Sequence, residues 1–209
     1  MNGEHKCAKM TAVLGRFGSL LRPSSDTRGS QIVEFAVALP LLIVFVVGIF
    51  DFGNAFNLKH KITNAAVIGA RFASAQPTSD LTDPNAGTGS VEAVARVVGI
   101  DLTSSKVDDC GLSLTNAGTV TYSPPRSWTY TRNTSPCAGT LTLTVDRGYT
   151  FQLPASPTYP GGMTVEATRI TLSYPYKWQF NRVIQFLVPG ASYQSSSQIN
   201  AVAVMQNLN

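Results

Sequence analysis

The stretch from Ile32 to Phe52, IVEFAVALPLLIVFVVGIFDF, constrains this chain more than any other, because its only ionisable residues are Glu34 near one end and Asp51 at the other. At 1.5 Å of rise per residue, roughly 20 helical residues cross the ~30 Å hydrocarbon layer of a bilayer, so the stretch is long enough to span. On its N-terminal side Lys6, Lys9, Arg16, Arg22 and Arg28 face only Glu4 and Asp26. That bias keeps the N-terminus in the cytoplasm and exports the residues C-terminal to the run. A secretory signal peptide is the alternative. Its apolar core, however, is about 7–15 residues long and lies near the N-terminus, whereas this run is longer, begins after residue 30 and has no small-x-small cleavage site directly behind it. Pro40 removes one helical hydrogen bond and predicts a bend that membrane helices tolerate.

The remainder is sized for one modest domain, since 209 residues leave no room for a second full one beside the anchor. Charged residues make up 13% and hydrophobic ones 44%, against about 25% charged in soluble domains. The net charge of +4 lies largely ahead of the apolar run. It therefore reads as a topology signal and not as a phosphate-binding surface, and no nucleic-acid partner is expected.

Around the start of the run stands Arg28-Gly29-Ser30-Gln31-Ile32-Val33-Glu34-Phe35, a glycine with a carboxylate five residues behind it. A charged residue at the helix centre costs roughly 2.5–3.5 kcal/mol, less near an end, so Glu34 either snorkels to the interface or has a partner. The segment RGSQIVEFAVALPLLIVFVVGIFDFGNAF, followed by TNAAVIGARFASA, spans Arg28 to Ala75. It resembles the TadE-like family (TadE or TadF type) of the tight-adherence, or Flp, type IVb pilus system, within the type IV pilin and pseudopilin superfamily. The resemblance implies cleavage by a prepilin peptidase between Gly29 and Ser30. It also implies subunit docking through Glu34 and Phe35, with Glu34 neutralising the new N-terminal amine of a neighbour, and a shared helix motif carrying Asp51, Phe52, Gly53, Asn64, Gly69 and Arg71. Opposite charges in a low-dielectric layer attract strongly when paired and are costly when left alone.

Past the run, Phe52, Phe56, Ile62, Ala66, Gly69 or Ala70, and Ala73 recur at helical spacing, with Lys59, Lys61 and Arg71 between them. The helix is expected to continue to about Ala75, a rod of roughly 70 Å, and to end before Pro77. Arg71 is either a salt-bridge or subunit contact or a solvated charge. A short helix is predicted from Ser90 as N-cap to Gly99 as stop. Leu141 to Val145, Val165 to Tyr176 and Gln198 to Gln206 alternate with period two, as half-buried strands do. Pro124, Pro125, Pro154, Pro157 and Pro160 mark loops. The expected fold class is α+β: a long N-terminal transmembrane and amphipathic helix packed on a mostly antiparallel sheet, pilin-like. The expected layout is a basic leader (1–29), a transmembrane helix (30–53), its extension outside the membrane (54–76) and an exported head (77–209).

Cys7 precedes the span, whereas Cys110 and Cys137 both reach an oxidising compartment, which predicts a disulfide between them. Two cysteines with no histidine nearby make a poor zinc set, so no metal is expected. His5 and His60 lie too far apart along the topology to share a site, and His60 between Lys59 and Lys61 reads as part of a basic juxtamembrane turn. Walker, dinucleotide and nucleophile-elbow motifs are missing, Asp108 and Asp109 read as a solvated loop, and no cofactor or catalysis is expected. Tyr122, Trp128, Tyr130, Tyr174, Tyr176 and Trp178 suit core and rim packing better than a sugar-binding surface.

These features lead to a minor pseudopilin or pilus assembly component in a bacterial inner membrane, single-pass, with its C-terminal domain outside the cytoplasm. Expected partners are other pilins and pseudopilins, the prepilin peptidase, the inner-membrane assembly platform and membrane lipid. The rival is a membrane-anchored surface- or ligand-binding protein that is pilin-like only in its anchor.

Overall fold

In the computed structural model of the chain, the described residues are 27–79, 81, 89–114, 118–180, 183, 185, 190 and 196–208. Of the basic residues expected to set topology, Lys6, Lys9, Arg16 and Arg22 lie outside them, as does most of the turn after Pro77. Two compact units divide between Ile43 and Val44. The first contributes the opening stretch of helix α1 (Thr27–Ser74), which continues through Pro40. The second carries the rest of α1, helix α2 (Ser90–Ser104) and five strands: β1 (Thr119–Ser123), β2 (Ser127–Arg132), β3 (Leu141–Leu153), β4 (Met163–Lys177) and β5 (Ser196–Gln206).

The strands form one antiparallel meander in chain order, β1-β2-β3-β4-β5. Its register sets the rows Thr121, Thr129, Thr144, Thr171, Val202 and Tyr130, Leu143, Leu172, Ala201 across the sheet. The two faces differ in chemistry because successive side chains point opposite ways. Trp128, Tyr130, Leu141, Leu143, Val145, Ile170, Leu172, Tyr174, Ala201 and Ala203 are buried in the core with α1 and α2. The other face is largely threonine, with one cross-strand contact of 3.1 Å between the Thr129 and Thr144 hydroxyls and a salt bridge of 3.0 Å from Arg169 to Asp146. Strands β1 and β2 were not anticipated. Pro124 and Pro125 do mark a turn, but it joins two strands whose alternation is written in threonine and aromatic residues.

From α1 the core receives Ile62, Ala65, Ala66, Ala70 and Ala73, and from α2 Val91, Val94, Ala95, Val98 and Leu102. Small residues on α1 let its neighbours approach closely. A Cβ on Gly69 would stand 2.5 Å from Val98 Cγ2 and 3.9 Å from Ile170. The buried stripe runs up from Asp51 through Ala55 and Leu58 to Ile62. Phe52 and Phe56, expected on that stripe, are offset by one position, about 100° around the helix, and are exposed. Lys59, His60 and Lys61 are helical, not a turn.

Helix α2 departs from expectation at both ends. Gly89, not Ser90, is its N-cap, and the helix runs past Gly99 to Ser104, where Ser105 and Lys106 (φ 58°) turn the chain. Gly99 serves packing instead: a Cβ there would meet Ser113 N at 2.8 Å. In β3 the register shifts between Asp146 and Tyr149, so that Arg147 and Gly148 oppose the single residue Thr168. Arg147 keeps the inward phase of Leu141, Leu143 and Val145, and the bulge shifts the alternation beyond Gly148. The guanidinium, 1% exposed, donates to the Gln76 carbonyl at 2.8 Å, just beyond the end of α1, where the helix dipole favours a cation.

Candidate functional site: an apolar helix and the residues that receive it

Helix α1 is the one helix among the described residues that is long and apolar enough to cross a membrane, and its apolar window is wholly unburied. Branched and aromatic residues surround it on every side. Phe35 is 65% exposed and Leu41 75%, with Ile32, Val33, Val37 and Leu42 comparable. Leaving such a side chain in water forfeits roughly 1.5–3 kcal/mol, so these six alone forfeit on the order of 10 kcal/mol, as much as a typical domain's entire stability. A helix of this composition is covered by lipid or by other apolar helices.

Within the exposed run the anticipated processing and docking residues stand together. Gly29 and Glu34 share one flank with Val33, Val37, Ala38 and Leu41, and Phe35, the next residue along the helix, is exposed. Ser30 is helical, in the first turn of α1. The carboxylate thus sits in the opening turns of the run, five residues from the glycine, with no hydrogen bond or ion pair among the described residues.

At the other end of the run Asp51 is treated differently. It is 3% exposed. Its Oδ1 accepts the Tyr176 hydroxyl at 2.7 Å, its Oδ2 accepts the Phe180 amide at 2.9 Å, and the same hydroxyl lies 3.1 Å from the Asp51 carbonyl. Burial, then the hydrogen bond to Asp51, then the charge of that carboxylate push the Tyr176 phenol above its ordinary range. Phe52 meets Trp178 edge-on at 5.4 Å, Trp178 meets Tyr176 at 4.9 Å, and Trp178 Nε1 donates to Ser197 at 2.8 Å. A helix residue at the end of the apolar run is therefore clamped by the end of β4, more than a hundred residues later in the sequence.

The rest of the helix motif divides by role. Gly53 is exposed. Asn64 reaches Asp101 of α2 at 3.5 Å, Gly69 gives the close approach to Val98, and Arg71 is exposed with no ion pair among the described residues. Lys59 donates to the Asn200 carbonyl on β5. Sequence reasoning did not foresee the Asp51 clamp or the Arg147 contact. A carboxylate closing a long apolar run was the signal for the first.

Cys110 and Cys137 form a disulfide with a Cα separation of 5.5 Å, tying the loop after α2 to the β2–β3 loop. The Asp108 carboxylate lies near both sulfurs, but bonded to each other they offer no thiolate. Its 3.3 Å approach to Cys137 Sγ is a contact without a proton. The aspartates are not a solvated loop. Asp108 accepts the Cys110 amide at 2.8 Å, while Asp109 accepts those of Gly111 at 3.0 Å and Ser113 at 2.8 Å. Burial alone would raise the Asp109 pKa, but the Ser113 hydroxyl and amide and the Gly111 amide outweigh it and leave the group below its ordinary value. Both residues thus organise the backbone beside the disulfide. Of the aromatic residues, Trp128, Tyr130 and Tyr174 are core, and Tyr122 packs on Trp128 at 5.2 Å.

Residues 29–71 match the family described as TadE-like protein, the segment that holds Gly29, Glu34, the apolar run and Arg71. No curated protein and no solved structure matches the chain.

Proposed function

From the premise that α1 carries a TadE-like segment, we propose that this chain is a component of a tight-adherence (Flp) pilus, acting as a minor pseudopilin. It sits in the inner membrane with its N-terminus in the cytoplasm and its α+β head outside. It works by binding through its helix and not by catalysis. A prepilin peptidase cuts between Gly29 and Ser30, which leaves the Ser30 amine in the first turn and Glu34 in the second.

The observation that carries the reading is the exposure of Glu34 inside an apolar helix that matches the family over this stretch. A carboxylate in that setting is stabilised by a cation delivered within the same low-dielectric layer, and the amine of a neighbouring subunit supplies one. The pairing fixes the stagger between subunits, while Phe35 and the surrounding apolar residues add packing without register. Partners are accordingly other pilins and pseudopilins, the peptidase and the assembly platform.

The deciding experiment is the intact mass and N-terminal peptide map of the membrane-extracted chain, with and without the host's prepilin peptidase. The expected result is a peptidase-dependent start at Ser30. A chain that keeps its residues before Gly29 in a peptidase-competent host refutes the processing, and with it the role of Glu34 in meeting a neighbour's amine.

A further inference from the structure

The end of β4 reaches down beside the apolar part of α1. Phe180 lies 3.8 Å from where a Cβ on Gly48 would stand, and its amide binds Asp51, while Trp178 packs on Phe52. Gly48, Asp51 and Phe52 all belong to the run that begins at Ile32. If the hydrocarbon layer stopped short of Phe180, only Ile32 to Val47 would remain to cross it, about 24 Å of helix at 1.5 Å per residue, against a layer of about 30 Å. The deficit brings Phe180 into the outermost part of the hydrocarbon and Trp178 to its border.

We infer that the tip of the head from Tyr176 to Phe180, together with Phe52, is a lipid-contacting belt seated at the acyl–headgroup boundary of the outer leaflet. The inference rests on the membrane-spanning reading of α1. The side chains suit that zone. Tyr176 and Trp178 have apolar rings with a polar handle, the type enriched at membrane interfaces. Phe52 is 60% exposed, and Lys177 and Gln179 are exposed between the rings. Lys177 is placed to reach phosphate oxygens while its stem lies along the apolar surface. The Tyr176 hydroxyl and the Phe180 amide are engaged by Asp51 and the Trp178 indole N–H by Ser197. The belt therefore brings ring surface to the lipid and leaves these three donors satisfied. The phospholipid leaflet is the occupant.

Trp128 is buried at 1% exposure, so Trp178 can be read separately. The full chain is reconstituted in vesicles of phosphatidylcholine brominated either near the top of the acyl chain or at its methyl end. The Trp178 signal is the difference between the wild type and Trp178→Phe, and Trp128→Phe reads it directly. The expected result is loss of most Trp178 emission with shallow bromine, little loss with deep bromine, and little quenching by aqueous iodide. Emission unchanged by bromine and quenched by iodide, in a chain that still resists carbonate extraction, overturns the belt and leaves the spanning reading standing. Extraction by carbonate overturns the spanning reading and the belt with it.

Discussion

Replacing Gly69 with alanine tests whether the approach of α1 to α2 is as tight as the structure has it. The added methyl would lie 2.5 Å from Val98 Cγ2, whereas carbon atoms in ordinary contact sit about 3.5–4.0 Å apart. One helix must therefore retreat by about 1 Å or Val98 must turn. Val98 is fully buried on a helix, and valine in a helix holds one χ1 rotamer about 90% of the time. Overpacking of this kind costs about 1–3 kcal/mol, while alanine in place of glycine in a helix interior returns about 0.8–1.0 kcal/mol. The net expectation is a loss of about 0–2 kcal/mol from a substitution that helix propensity alone would make favourable. The decisive quantity is the coupling with Val98→Ala, which removes the carbon in the way. The double variant should be more stable than the sum of the two single changes by about 1–2 kcal/mol, inside the range seen for residues in contact. Denaturant unfolding of the oxidised, detergent-solubilised chain, followed by tryptophan emission, gives all four corners of the cycle. A Gly69→Ala variant stabilised by the full propensity gain, with no coupling to Val98→Ala, refutes the close crossing.

Reducing the Cys110–Cys137 disulfide, or replacing both residues by serine, opens a loop with a sequence separation of 27 and should lower stability by about 3–4 kcal/mol by loop-closure entropy. Melting curves with and without reductant check it, and coincident curves would contradict it. Alkaline pH should destabilise the head. Burial first, then the charges of Asp108 and Asp109, push the Tyr174 phenol up to about 12, so its contribution is fully present below the unfolded value of about 10 and is lost as pH rises through the folded one. The part of the phenolate absorbance that Tyr174→Phe removes should therefore rise together with unfolding above pH 10, and its appearance well ahead of unfolding would contradict the buried setting of this group.

The apolar helix was legible because a spanning segment has one requirement, an unbroken apolar helix of fixed length, and the sequence from Ile32 to Phe52 meets it without help from other residues. Strands β3 and β4 were legible because leucine, valine and isoleucine alternate there with threonine and serine, and β5 because Ile199, Ala201 and Ala203 recur at every second position. The same period runs through Trp128, Tyr130 and Arg132, but an arginine at a core position and the neighbouring prolines hide it. Arg147 keeps the inward phase of Leu141, Leu143 and Val145, but a charged residue there reads as the end of the buried row, because the Gln76 carbonyl that receives it stands 71 positions earlier in the sequence. The Asp51 clamp joins positions 51, 176 and 180, a pairing that only the folded chain creates. Gly29, Ser30 and Glu34 were readable as a spacing, and Gly69 as a small residue, though the partner Val98 that gives Gly69 its purpose was not.

The meander has a consequence for the order in which the head assembles. Every strand pairs with the one just made, so each addition closes only a local loop as the chain grows from its N-terminal part. Such nearest-neighbour growth is kinetically undemanding. Long-range contacts come with the later strands: the end of β4 returns to Asp51 of α1, after β5 the Leu208 amide bonds to the carbonyl of Ser74, the last residue of α1, and Lys59 meets β5 at Asn200. The strand made last thus also returns to the helix made first. Until it docks, β4 presents an open edge that invites a stray strand, so the interval between emergence of β4 and arrival of β5 is the period in which this head is most vulnerable to pairing with the wrong chain.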